Sequence, residues 1–150
     1  MDEPTNSIYL TGFDLKNALI ADGALFVHDN SDVPPEKPGM RLIAVAISPK
    51  DENHESDFHF YRLDGGIWTH KPGKGLVTNV DAVGLPIKNP ALANRDYRQV
   101  LINEFHWPYN YKYFVGFFYF PVKKSDCTKK PSNKTPVPFH DIVKPQNSVR

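Results

Sequence analysis

A chain of 150 residues with 40% hydrophobics can build one core, its 14 prolines argue against a helix-rich fold, and its single cysteine excludes an internal disulfide framework. The net charge of +1 hides an asymmetry: residues 1–122 hold 11 basic and 15 acidic residues, whereas residues 123–150 hold 7 and 2. A mildly acidic body is no nucleic-acid groove, and no apolar run reaches the about 18 residues of a membrane helix.

The absence of a basic-then-apolar leader, with the lone Cys127, points to a soluble protein of a reducing compartment. Along the chain, "TGFDLKNALIADG" (11–23) predicts a short helix. Thr11 is its cap, Asp14 suits the positive first turn, and Gly23 ends it. "ALFVH" (24–28) reads as a short strand and 29–39 as a loop. "RLIAVAI" (41–47) is nearly unbroken apolar and predicts a central strand. The polar stretch 48–57 is a loop.

"FHFYRLDGGIWTHKPG" (58–73) carries a hairpin signal. A two-residue turn at Asp64-Gly65 sets Tyr61 opposite Trp68 and His59 opposite His70 on one face, with Phe58, Phe60, Ile67 and Thr69 on the other. A turn at Gly65-Gly66 shifts the partners by two. Residues 72–90 are turns with one short strand at most. Asn89 as cap and Pro90 at the first position predict a second helix over 89–105, and "YFVGFFYFPV" (113–122) a last strand. The order gives an α+β domain over 1–122 with a mainly antiparallel sheet, a flexible aromatic loop at 104–114 and a basic tail at 123–150.

Three chemistries can be weighed. The first is a papain-like reading, since "DFHFYRLDGGIWTHKPG" resembles a bacterial pattern with one histidine on each hairpin arm. It makes His59 and His70 a base and its orienter, but needs a nucleophile at the start of the preceding helix. That start, "TGFDLKN", has no cysteine; Thr11 is better explained as a cap, and Cys127 lies in the tail. The second is metal binding. His28, His54, His59 and His70 lack zinc spacing, so neither metal nor cofactor is expected. The third is duplex-RNA binding through the basic tail, for which a solvated tail is the plainer account.

The segment 103–120 holds ten of the nineteen aromatics. Phe105, Trp107, Tyr109, Tyr111 and Tyr113 fall on alternate residues, and Pro108 excludes a central strand. Residues 113–120 read as core strand. Residues 104–112 read as an exposed grip, because rigid aromatics give large contact area at low entropy cost.

The length, the short helix "DLKNALIADG" and "YNYKYF" ending at Phe114 resemble the dicistrovirus leader-protein family of RNA-interference suppressors, of the cricket paralysis virus kind. That resemblance implies a non-enzymatic monomer of the host cytoplasm that binds and inhibits host Argonaute. Phe114, Trp107, Tyr109, Tyr111, Tyr113 and Phe105 would make the contact. It also implies recruitment of a Cullin–Elongin ubiquitin ligase through a BC-box-like helix, here Leu15, Ala18 and Leu19, although the spacing departs from that motif.

Overall fold

The computed structural model describes residues 11–73, 75–102 and 104–122, with backbone alone at Ile102 and Phe105. Helix α1 (Gly12–Ala21) starts at a capping box: the Thr11 hydroxyl accepts from Asp14 N at 3.1 Å, and the Asp14 carboxylate accepts from Thr11 N at 3.3 Å. It ends in a Schellman motif. Ala24 N donates to Leu19 O and Gly23 N to Ile20 O, with Gly23 at φ +101°.

Strands β1 (Leu25–His28), β2 (Met40–Ser48), β3 (Asp57–Asp64), β4 (Ile67–Thr69) and β7 (Tyr113–Pro121) form one sheet in the order β1-β7-β2-β3-β4. All of its pairings are antiparallel. β5 (Leu101–Ile102) and β6 (Phe105–His106) make a separate small ribbon. β2 is central, and both of its faces are covered, which explains its unbroken apolar run.

On one face Leu15 and Leu19 of α1 pack with Ile43, Val45, Phe60 and Phe118. On the other, Leu42, Ala44, Tyr61, Trp68, Phe117 and Tyr119 pack under a lobe of irregular chain, residues 79–102 and 104–114. A bulge resets β7: Val45 pairs with Gly116, but Ala46 pairs with Phe114. The extra residue rotates the start of the strand, so Phe114 joins Phe117 and Tyr119 on the lobe face. Gly116 sits there at φ +147°, where an added Cβ would lie 2.6 Å from the Phe26 ring and 2.8 Å from His28 O.

Two expectations are corrected. The hairpin turns at Gly65-Gly66, with Leu63 opposite Trp68 and Arg62 opposite Thr69. Both central residues have positive φ (+56° and +79°), which glycine reaches at less steric cost than Asp64 does. A shift by two leaves the faces as expected. The second helix does not form. Asn89 caps one turn, its carboxamide accepting from Ala91 N. The next residues then take side-chain-to-backbone turns: Asp96 N donates to Asn94 Oδ1 and Arg98 N to Asp96 Oδ1. The Arg95 guanidinium also takes the carbonyls of Pro90 and Ala91, the acceptors a growing helix would use.

Candidate functional site

The hairpin histidines meet, but inside the protein. β3 alternation sends Phe58 and Phe60 toward α1 and His59 and Tyr61 to the opposite face. His70, fully buried, extends past β4 and bridges Thr78 through both backbone groups. His59 Nε2 lies 2.7 Å from His70 Nδ1, and His70 Nε2 lies 2.6 Å from Val80 O. Val80 O can only accept, so His70 Nε2 carries the proton, Nδ1 accepts, and His59 Nε2–H donates.

The pair is stacked between phenols. Tyr111 lies on His59 with centroids 4.9 Å apart, and Tyr61 lies on His70 at 5.0 Å. Burial pushes His70 down to about 4 and pushes the Tyr61 and Tyr97 phenols up. The Tyr61 and Tyr97 hydroxyls are near enough to perturb one another, though neither meets a partner in hydrogen-bonding geometry.

The aromatic segment closes over this pair. Tyr111 is 0% exposed; its hydroxyl donates to Asp57 Oδ2 at 2.5 Å and accepts from Trp107 Nε1 at 2.9 Å. Trp107 and Tyr109 are half-buried, and an added Cβ at Gly73 would strike the Trp107 ring. The backbone pairs with 95–97: Tyr97 N donates to Tyr109 O and Tyr111 N to Arg95 O. Arg95 fixes the exit into β7. Its Nε donates to Tyr111 O at 2.7 Å, and its guanidinium lies 5.6 Å from the Phe114 ring centroid. Desolvation lowers the pKa of this guanidinium. The expectation that 104–112 is an exposed loop is therefore corrected at Tyr111, because its hydroxyl has better partners inside than in water.

The bulge leaves Tyr113 outside, 57% exposed, on the α1 side. Here a cleft of about 670 Å³ opens between the start of α1 and the loop after β2. Thr11, Gly12, Ile47, Pro49, Lys50 and Tyr113 are among the residues lining it. Lys112 Nζ stands 5.1 Å from the Tyr113 ring centroid. By exposed area the lining is mostly apolar, and Lys50, Asp51, Glu52 and Ser56 also border it, so the cleft suits an apolar side chain flanked by polar groups.

The structure thus separates the residues picked from sequence. Tyr113 is in the open, Phe114 is half-buried against Phe117, and Trp107, Tyr109 and Tyr111 form the lobe's interior. The Phe105 side chain, Cys127 and the tail at 123–150 lie outside the described residues. Leu15 and Leu19 are spent on the core and Ala18 faces outward, so α1 does not present a BC-box edge. Thr11 and the histidines lie on opposite faces of the sheet, which removes the helix-start nucleophile that a papain-like site requires. Among the described residues no group of three or more acidic, histidine or cysteine side chains could hold a metal ion, and no helix is long and apolar enough to cross a membrane. Asp57 and Arg95 were not singled out from sequence. No local pattern marks either: Asp57 accepts from a tyrosine 54 residues away, and Arg95 binds Tyr111 O as well as the nearby carbonyls of Pro90 and Ala91.

No family model matches the chain, and no solved structure matches it. A stretch of 55 residues is 44% identical to the insoluble matrix shell protein 1 of Ruditapes philippinarum, covering 36% of this chain and 34% of that protein. The matched stretch thus spans about a third of that relative's length.

Proposed function

We propose that the protein is a non-catalytic binding module that takes an apolar side chain of a partner protein into the cleft beside Tyr113. The carrying observation is that cleft: about 670 Å³, mostly apolar, with an exposed tyrosine at its rim. An aromatic anchor entering such a pocket contributes roughly 2 kcal/mol or more to binding. Host Argonaute is the partner proposed, on the strength of the family resemblance carried by "YNYKYF" and the short helix, and binding would block its slicing in the host cytoplasm. Phe114 supports the contact from behind, through its packing on Phe117 and Arg95. Ligase recruitment through Leu15 and Leu19 would require α1 to leave the sheet, so it forms no part of this proposal.

Capture of Argonaute from insect cell lysate tests the proposal. The full chain is expected to retain it, and Tyr113→Ala to lose it with the fold intact by circular dichroism. Equal capture by both proteins would sink the assignment of the cleft. Phe114→Ala is the weaker test, because that ring also packs in the interior.

A second reading follows from the molluscan likeness: a component of an insoluble matrix, packing through the same cleft onto matrix protein. It predicts self-association of the purified chain into pelletable material, lost in Tyr113→Ala. A chain that stays monomeric at high micromolar concentration excludes it.

A further inference from the structure

We infer that the His59–His70 pair is an acid-sensitive latch, which holds the segment from His70 to Tyr111 on the sheet while His70 Nδ1 is free to accept and releases it when His70 takes a proton. The direction of the hydrogen bonds carries this. Val80 O fixes the proton of His70 on Nε2, at 2.6 Å. Nδ1 is then the acceptor for His59 Nε2–H, at 2.7 Å. A proton added at His70 Nδ1 sets two N–H donors against each other at that distance. The bond joining β3 to the lobe becomes a repulsion in a site where His70 is fully buried.

The surroundings offer little to receive that charge. Tyr61 from β3, Tyr97 from the 95–97 segment and Tyr111 before β7 face the pair as neutral phenols. Asp81 acts on His70 electrostatically, but its oxygens already accept from Val83 N, Leu85 N and Asn94 N. Asp57 accepts from the hydroxyl of Tyr111, the phenol stacked on His59. Arg95, the nearby cation, acts on Tyr61 and would oppose a second positive charge. Burial outweighs the help of Val80 O and Asp81, and His70 falls from 6.5 to about 4.

The sign follows from that depression. The closed protein binds fewer protons than the open one between pH 6.5 and 4, so closure is fully favoured above 6.5 and weakens as pH falls toward 4. The opening constant rises by up to about tenfold per pH unit in that window, roughly 300-fold in all. Opening uncovers Trp107, Tyr109 and Tyr111, so an aromatic surface that is closed at neutral pH becomes available in an acidic compartment. The latch lies on the opposite face of the sheet from the Tyr113 cleft, so opening and capture at the cleft can fail independently.

Amide hydrogen exchange on the full chain tests this between pH 7.5 and 4.5, with rates corrected for intrinsic exchange. Protection in peptides spanning 70–111 should fall at least tenfold on acidification while β2 and β7 keep theirs, and His70→Gln should remove the dependence. Unchanged protection at 70–111, loss of β2 together with it, or an equal dependence in folded His70→Gln would overturn the latch. If His70→Gln does not fold, the His70 Cε1 resonance of the wild type decides. A midpoint below about 5 that coincides with opening supports the latch, and a midpoint near 6.5 in a still-protected lobe overturns it.

Discussion

On the α1 side of the sheet, Leu15, Leu19, Ile43, Val45, Phe60 and Phe118 meet as apolar surfaces, and the buried Arg62, placed on this side by alternation, is paired with Asp64 at 2.5 Å. On the lobe side, His59, His70, Tyr61, Tyr97 and Tyr111 are packed just as deeply, but the lobe hangs on directional bonds to Val80 O, Asp57 and Trp107. The first face depends on area removed from water and tolerates small shifts. The second depends on donors and acceptors matching, and one proton or one missing hydroxyl breaks the match. A helix covers the first face because periodic leucines can cover it. Irregular chain covers the second because turns leave backbone carbonyls free for Arg95 and His70.

The contrast can be broken at several points. Leu19→Ala should cost the most, about 3 kcal/mol in denaturant unfolding, with the same loss at pH 7.5 and 5. A loss that varies with pH would mean that the apolar face is coupled to the polar one. Gly116→Ala should follow, at about 2–3 kcal/mol, because its new methyl meets the Phe26 ring and a backbone carbonyl at a φ that alanine avoids. A wild-type melting temperature would show that the bulge relaxes. Tyr111→Phe keeps the ring but removes the hydroxyl that joins Trp107 Nε1 to Asp57, for about 2 kcal/mol and faster exchange across 70–111 than in β2. If its cost is no larger than that of an exposed Tyr→Phe change, the lobe is held by packing alone. Thr11→Ala removes half of the capping box for about 1 kcal/mol. Tyr113→Ala should stay within about 0.5 kcal/mol of the wild type, since its side chain stands outside both cores.

The apolar face was legible in the sequence. Thr11, Asp14 and Gly23 mark the ends of α1, the unbroken apolar run marks β2 as central, and alternation along 58–70 assigns the faces correctly even with the turn misplaced by one residue. The lobe was not, because its structure comes from long-range bonds and from a side chain that captures nearby backbone carbonyls. Asn89-Pro90 is a good helix start, and nothing local says that Arg95 will withdraw the carbonyls of Pro90 and Ala91. Tyr111 looked like part of an exposed grip because its partner Asp57 is 54 residues away. The bulge between Phe114 and Gly116 exchanges the faces that unbroken alternation from Phe118 and Phe120 would give Tyr113 and Phe114, and periodicity does not announce it.

The proposed binding site is the cleft beside Tyr113. Titration calorimetry of purified insect Argonaute with the full chain and with Tyr113→Ala, at equal fold content, tests it most directly. The wild type is expected to bind saturably, and the variant with at least about a tenfold weaker constant. Absence of binding by the wild type, or equal constants for the two proteins, would contradict it.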